Sequence, residues 1–314
     1  MIDRAPMEKP TFDPGLTQQY TGVLTRAINP DGQFNVKRSG VTWRDSHPYL
    51  FLINVRWPTF FLIVTIGFIV VNTLFAACYS AIGVEHIKGA EASTAWDRYL
   101  NVFFFSAHTL TTVGYGNMFP NGAAANAIAT FESLVGLLAF AIATGLVFGR
   151  FSRPSARIAF SKTMIVAPYQ NGSSLQFRIV NRRSNNIIDL NARLVLMTVE
   201  MLDGKLQRRF RPLDLERSDI LFFPLTWTVV HPINETSPLL GLTPEQLHTL
   251  QAELIVALQG FDETFGQTVH AHFSYRYDEI VWGARFKPAF EIDEQGDIRL
   301  ETDRLSEIES FELP

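Results

Sequence analysis

The string Thr-Val-Gly-Tyr-Gly at residues 112–116 is the part of the sequence whose residue types and spacing most directly specify a chemistry. Gly114 and Gly116 alternate with larger residues, and glycine reaches left-handed backbone conformations at low cost. Such a backbone directs successive carbonyl oxygens toward one axis, where rings of oxygens replace the water around a K+ ion. The string predicts a filter for permeant K+, with the Thr112 hydroxyl at its inner mouth and Val113 and Tyr115 packed outward. One chain cannot close such a ring, so the chemistry predicts a homotetramer.

Two long segments nearly free of charge surround this string and argue against the alternative, a surface turn in a soluble protein. Residues 57–84 carry no charge, and Glu132 is the only charged residue between Tyr99 and Gly149. A bilayer core of about 30 Å needs about 20 apolar helical residues. The sequence therefore predicts two membrane-spanning helices, at residues 57–82 and 123–149.

Shorter elements are predicted next to these spans. Residues 97–111 indicate a helix of about 22 Å, which is too short to cross a bilayer and is therefore predicted to be re-entrant. The glycine-rich segment that follows it must be buried in protein or line a water-filled path. Residues 43–56 mix polar and apolar side chains, as is typical of a helix lying in the membrane interface.

Basic residues set the predicted orientation. They precede the first span and follow the second, while the connecting region has only Lys88 and Arg98. Because basic loops stay on the cytoplasmic side, both termini are predicted to be cytoplasmic. A bacterial inner membrane fits this pattern.

The chain changes character after Pro154, where short strand-like runs alternate with turns. Asn171-Gly172 and Asp203-Gly204 each separate two such runs and predict hairpins. Thr243, Pro244 and Gln246 predict one short capped helix. The predicted fold class is an α+β membrane protein in which two spans, a re-entrant helix and a filter precede a cytoplasmic β domain.

The composition and motifs of this 314-residue chain argue against several classes of function. A formal net charge of −4 gives no reason to expect a nucleic-acid partner. Cys78 is the only cysteine, so no intrachain disulfide can form. His270 and His272 share one face of a predicted strand, but no third metal ligand is identifiable. No nucleophile, base and orienting group are arranged as in an enzyme, and no cofactor beyond permeant K+ is predicted.

The second span carries further candidate residues. Phe140, Thr144 and Phe148 recur every four residues and therefore share one helix face. Glu132 lies about 160° around the helix from Phe148, so we expect it behind the filter. Burying a carboxylate in a membrane costs free energy. Glu132 is therefore interpreted either as a support for the filter or as a residue that stabilises the packing of the helices. Gly136 and the later Gly145 permit either bending or close packing.

Three strings resemble the inward-rectifier potassium channel family, specifically its prokaryotic (KirBac) branch, over residues 43–290. They are RFSRP (150–154), LTWTVVHPINETSPL (225–239) and YRYDEIVWGARF (275–286). The resemblance implies an immunoglobulin-like β-sandwich and an interfacial slide helix. The predicted domains are then a loosely ordered N-terminal segment (1–42), the slide helix (43–56), the transmembrane pore domain (57–153) and the cytoplasmic β-sandwich domain (154–314).

The resemblance also implies roles for individual residues. Phe148 matches the gate at the crossing of the inner helices, and Arg150 and Arg153 match a basic cluster that meets anionic lipids. A second gate corresponds to the loop Glu263, Thr264, Phe265, Gly266 and Gln267. Polyamines or Mg2+ are the implied blockers, and because Phe140 occupies the position that is acidic in strong rectifiers, weak rectification is expected.

One departure from the family pattern concerns the filter. Many members brace it with a glutamate and a basic residue, and the matching positions here are His108 and Met118. This departure leaves a less selective cation channel open as an interpretation. A membrane-anchored β-sandwich receptor or scaffold that conducts nothing is the alternative from another functional class.

Overall fold

A computed structural model of the chain describes residues 12–20, 22, 26–37, 39–40, 47–152, 157–202 and 204–313. The chain divides into two compact units. Arg38–Arg153 forms a helical unit, and Met1–Lys37 together with Pro154–Pro314 forms a β unit.

The helical unit contains four α-helices within its described residues. They are α1 (Pro48–Asn54), α2 (Trp57–Ile82), α3 (Ala95–Leu110) and α4 (Ala123–Phe151). Both α2 and α4 are long and apolar enough to cross a membrane. The predicted start and end of the first span match α2, and α4 extends two residues beyond the predicted end of the second span.

Local sequence explains where these helices begin. A proline lies in the first turn of α1 and of α2, where a missing backbone N–H removes no helical hydrogen bond. Thr94 caps α3 by accepting a hydrogen bond from the Asp97 N–H at 3.1 Å. Of the predicted interfacial segment 43–56, Pro48–Asn54 forms α1, and residues 43–46 lie outside the described residues.

Apolar side chains from α2, α3 and α4 pack together near the start of α4. Tyr79, Val102, Phe105 and Ala125 are buried in this cluster. A two-residue antiparallel pairing between β1 (Ile87–Lys88) and β2 (Phe119–Pro120) joins the loop after α2 to the segment before α4. These contacts fix α3 and the filter string between the two long helices.

The β unit is a two-layer sandwich, which confirms the predicted β architecture. Its strands are β3 (Ile158–Phe160), β4 (Met164–Tyr169), β5 (Gly172–Asn181), β6 (Ile187–Leu202), β7 (Lys205–Leu213), β8 (Asp219–Phe222), β9 (Thr226–Ile233), β10 (Glu253–Asp262), β11 (Gln267–Arg276), β12 (Ile280–Trp282), β13 (Ala284–Phe286), β14 (Phe290–Ile292), β15 (Ile298–Leu300) and β16 (Ile308–Ser310). One sheet has the order β11-β10-β6-β7, with β8 also paired to β6. The other has the order β12-β4-β5-β3, with β9 also paired to β5.

The core lies between the two sheets. Leu175 and Phe177 from β5 pack with Leu196 from β6 and with Leu254 and Val256 from β10, and all five are buried. Alternate residues of each strand face this core, as the period of two along a strand requires. Shorter ladders join β13 to β16 and β14 to β15.

The predicted turns are present, with one shift. Leu202 pairs with Lys205, so β6 and β7 are joined by a tight hairpin at the predicted place, with Gly204 at φ +74°. Asp203, the other residue of the predicted dipeptide, lies outside the described residues. In the β4–β5 hairpin Tyr169 pairs with Gly172, so the turn residues lie one position earlier than the predicted dipeptide, and Gln170 takes φ +52°. The short helix α5 (Pro244–Thr249) begins with the predicted capping box.

Residues 26–37 differ from the loosely ordered segment that the sequence suggested. They turn back on themselves through a pairing of Ile28 with Phe34. Ile28 is buried among apolar side chains of the β unit, and the Ala27 N–H donates to both carboxylate oxygens of Glu253 at 2.9 and 3.2 Å. Arg26 pairs with Glu279 at 2.9 Å. The hydrophobic burial and these polar contacts fix this stretch on the sandwich.

Candidate ion-conduction site

The backbone of the filter string alternates in handedness, as its glycines predict. The φ angle is +60° at Thr112, +55° at Gly114 and +81° at Gly116. A Cβ added at either glycine would contact nothing within 4 Å. The backbone conformation, rather than lack of space, therefore requires glycine. The left-handed Thr112 was not predicted, because a non-glycine residue there carries strain of about 1–3 kcal/mol.

The last turn of α3 holds this string. The His108 carbonyl accepts hydrogen bonds from the N–H groups of Val113 at 2.9 Å and Gly114 at 3.3 Å. The His108 ring packs edge-on against Tyr115, with ring centroids 4.7 Å apart. His108 is one of the two positions where the sequence suggested a missing brace. It contacts the filter through a ring and a carbonyl instead of a carboxylate.

A buried polar network lies behind the string and connects three helices. Glu132 on α4 accepts hydrogen bonds from the Tyr79 hydroxyl on α2, at 2.6 Å, and from the Ser106 hydroxyl on α3. The Ser106 oxygen also lies 3.0 Å from Asn72 Oδ1 on α2. All four side chains are buried. Sequence reasoning selected Glu132 but missed its partners, although polar residues within apolar helices are themselves a signal, since each must find a partner there.

One turn further along α4, Gly136 lies against the end of α3. A Cβ at this position would lie 2.0 Å from the Leu110 carbonyl oxygen. The helix backbones therefore approach closely here, as small residues permit. Around Gly145 an added Cβ would meet nothing within 4 Å. Close packing accordingly explains Gly136.

The opposite side of α4 is open in the single chain. Phe140 is 73% exposed and Phe148 71% exposed, and Thr144 between them is exposed as well. Glu132 is fully buried, which agrees with the predicted separation of the two faces.

Arg150 follows this face and contacts protein. Its guanidinium donates to the carbonyl oxygens of Leu52 and Val55, the latter at 2.6 Å. It also packs over the rings of Trp57 and Phe60, at 4.4 and 4.7 Å from their centroids. Its predicted partner in lipid binding, Arg153, lies outside the described residues.

The predicted cytoplasmic loop joins β10 to β11. Asp262 pairs with Gln267, which leaves Glu263, Thr264, Phe265 and Gly266 as a four-residue loop. Glu263 is exposed, and Gly266 has φ +60°.

Asp262 organises this loop and was missed by sequence reasoning. It is buried, and Oδ1 accepts from the Thr264 N–H at 2.9 Å. Its other carboxylate oxygen accepts from the Asn185 amide at 2.6 Å. An aspartate immediately before a turn is a recognisable signal for such a cap.

The histidine pair on β11 faces one side, as expected. The rings of His270 and His272 are nearly parallel, with centroids 6.5 Å apart. Burial lowers the pKa of His272, and His270 lowers it further. In the part of the chain that the structure describes, no group of three or more His, Cys, Asp or Glu residues is arranged to bind a metal ion.

These features define the class of protein. A left-handed alternating filter string follows a helix too short to cross a bilayer and lies between two helices that are long enough to do so. This is the pore architecture of a potassium channel, and a β-sandwich follows it.

Family comparisons agree with this class. The family described as "Inward rectifier potassium channel C-terminal domain" matches residues 158–314, and the family described as "Ion channel" matches residues 59–153. The chain belongs to the inward rectifier potassium channel family. It is therefore a membrane ion channel and not an enzyme, in a family whose channels form tetramers.

Individual relatives support the same assignment. Inward rectifier potassium channel Kirbac3.1 from Paramagnetospirillum magnetotacticum is 38% identical over 90% of this chain and 95% of its own. ATP-sensitive inward rectifier potassium channel 12 from Bos taurus is 28% identical over 84% of this chain and 67% of its own.

Proposed function

We propose that four copies of this chain surround one pore and conduct K+ passively across a bacterial inner membrane, with both termini in the cytoplasm. The filter is formed by residues 112–116 of each copy, whose backbone carbonyls and Thr112 hydroxyls replace the hydration shell of the ion. The β units of the four copies continue the path into the cytoplasm.

The observation that carries this proposal is the left-handed φ at Thr112, Gly114 and Gly116. Alternation of this kind lets consecutive carbonyl groups face the same axis. The N–H groups of Val113 and Gly114 bond back to α3, so the opposite side of the strand remains available to the ion.

Glu132 supports the filter through α3. Its hydrogen bond from Ser106 lies one helical turn before Leu110, and Leu110 lies two residues before Thr112. Because the network is buried, breaking it would leave polar groups without partners at a cost of about 1–3 kcal/mol each. Many family members brace the filter with a salt bridge at the positions of His108 and Met118. In this chain the buried network takes over that support.

Two constrictions gate the path. Phe148 rings from four copies converge and close the inner end with a dry apolar ring, and Phe140 and Thr144 line the cavity above it. The loop from Glu263 to Gln267 forms the cytoplasmic gate.

Anionic lipids and cationic blockers act on the channel through a few charged residues near the pore. Arg153 contributes about 1 kcal/mol of attraction toward an anionic leaflet. Polyamines or Mg2+ are attracted by Glu263 near the loop gate, but Phe140 offers them no charge in the cavity. Rectification is therefore weak.

The test of this proposal is a comparison of Gly114→Ala with Gly67→Ala in liposomes. Gly67 lies on α2 with nothing within 4 Å of an added Cβ and has no left-handed φ. Gly114→Ala should form tetramers but lose K+ selectivity over Na+, or lose conduction, while Gly67→Ala should retain both. Wild-type selectivity in Gly114→Ala would contradict the filter assignment.

A further inference from the structure

The outer face of β11 carries two histidines, His270 and His272, at alternate positions of one strand. Tyr275 of this strand is buried in the core between the sheets, and Ala271 and Phe273 pack against that core. Because side chains alternate along a strand, His270 and His272 point away from the core. Every residue of β11 is also paired with a residue of β10. The backbone that carries the two rings is therefore fixed by the fold.

The two rings lie side by side. Their planes are 4° from parallel and their centroids are 6.5 Å apart, which matches the spacing of about 6.6 Å between alternate residues of a strand. A metal ion bound tetrahedrally at about 2.0–2.1 Å from two ring nitrogens holds those nitrogens about 3.4 Å apart. The rings reach this separation by leaning toward each other through side-chain rotation, and the backbone does not have to move.

The neighbouring side chains leave space for an ion beside the pair. Ala257 of β10 lies directly opposite His272, and its methyl group fills little of the surface between the strands. Gln259 lies opposite His270, where its amide oxygen can accept a hydrogen bond from metal-bound water. The Phe34 ring covers one side of His272, with centroids 5.4 Å apart, whereas His270 is exposed. An ion can therefore approach from solvent on the His270 side.

The nearest charge in the same row of the sheet is too far away to repel an ion strongly. Arg193 of β6 lies opposite Ala257, and it is therefore two strand spacings, or about 10 Å, from His272. This distance exceeds the screening length of about 8 Å at physiological ionic strength. The side chains between Arg193 and the histidines are neutral.

Ligand chemistry selects the class of ion. Neutral imidazole is the commonest metal ligand in proteins and suits Zn2+, Ni2+ and Cu2+, whereas Mg2+ and Ca2+ prefer oxygen. Among the residues that the structure describes, no third His, Cys, Asp or Glu joins the pair. A structural zinc site has four protein ligands, so two histidines specify an open site in which water completes the coordination.

We propose that His270 and His272 of one chain together bind one Zn2+, Ni2+ or Cu2+ ion on the outer face of β11. The ion exchanges with solvent and is not the permeant K+. The site also differs from the Mg2+ block assigned above to Glu263, because its nitrogen ligands do not favour Mg2+. It depends on neither the filter nor the gates, so it is testable whether or not the chain conducts.

The experiment titrates metal ions into the full-length tetramer, purified without a histidine tag. Calorimetry at pH 7.5 should show one ion bound per chain, with Cu2+ binding more tightly than Ni2+ or Zn2+ and no binding of Mg2+ at this site. His270→Ala and His272→Ala should each weaken Zn2+ binding by about tenfold or more, equivalent to about 1.4 kcal/mol. His248→Ala, which removes a lone exposed histidine on α5, should leave it unchanged.

Spin-echo modulation of bound Cu2+ counts the coordinated imidazole rings directly. We expect two rings in the wild type and one in each single variant. Phe34→Ala is the matched control for the loss of the aromatic contact at His272, because it retains both ligands, and it should still show two rings. Three results would overturn the site: one ring in the wild type, unchanged Zn2+ affinity in both single variants, or one ion per four chains, which would mean that separate copies share the ion.

Discussion

Replacing Gly136 by alanine is expected to displace the end of α3 and with it the filter. The new Cβ would lie 2.0 Å from the Leu110 carbonyl oxygen and 2.9 Å from its carbon, whereas ordinary contact begins at 3.4 Å. These are backbone atoms, so no side-chain rotation can relieve the overlap. Leu110 precedes Thr112 by only two residues, and the displacement should therefore reach the first left-handed residue of the filter.

The expected change in the free energy of unfolding is the sum of two opposing contributions. Alanine is favoured over glycine in a helix by about 1 kcal/mol, while overpacking costs about 1–3 kcal/mol. Gly145→Ala is the matched control, because it lies on the same helix with open space around it and gains the first term without the second. Gly136→Ala should consequently be less stable than Gly145→Ala by about 1–3 kcal/mol.

The assay combines thermal unfolding of the purified tetramers with rubidium uptake into liposomes under K+ and Na+ competition. We expect Gly136→Ala to unfold at a lower temperature than Gly145→Ala and to discriminate less well against Na+. Equal unfolding temperatures and equal selectivity in the two variants would refute the close approach of α3 and α4.

Three further predictions concern the gate, rectification and the β unit. Phe148→Ala should raise rubidium uptake severalfold by widening and wetting the constriction, and unchanged uptake by a folded tetramer would count against the gate. Phe140→Asp should strengthen spermine block at positive voltage markedly, because four carboxylates would face one cavity; strong block of the wild type, or no gain in the variant, would mean that position 140 does not face the pore. His231 is buried between the Asp214 carbonyl and the Ser237 hydroxyl, and burial lowers its pKa. The neutral ring is thus favoured in the folded state, so unfolding measurements should show stability that is full above about pH 6.5 and declines below it, with a smaller decline in His231→Gln.

The helical unit was largely predictable because its signals are local. Both spans follow from the absence of charge, and the filter conformation follows from alternating glycines whose φ angles are positive. The capping box at Thr243 was likewise visible in the sequence and is present. In each case the residues that determine the local structure are close together in the sequence.

The partners of the key residues were less predictable because they are distant in sequence. Tyr79 and Glu132 are separated by 53 residues, and Arg150 is 98 residues from Leu52. Family resemblance suggested lipid for Arg150, whereas its guanidinium contacts backbone carbonyls. No local pattern specifies such pairings.

The docking of residues 26–37 was missed for a related reason. Prolines, a glycine and polar residues suggested little order, yet Ile28 finds a buried site on the sandwich and Glu253 accepts the Ala27 N–H. Burial raises the pKa of Glu253, although the Ser274 hydroxyl, the Ala27 N–H and two nearby arginines oppose this. A single buried side chain and a few polar contacts outweigh weak local propensity.

The most direct test of K+ conduction uses the wild-type chain reconstituted in liposomes loaded with K+. Uptake of tracer rubidium driven by the K+ gradient is measured with and without barium, and again with Na+ replacing K+ inside. A selective channel predicts uptake that barium blocks and that internal Na+ does not drive. Absence of uptake in every lipid composition, or equal uptake with Na+, would contradict K+-selective conduction by this chain.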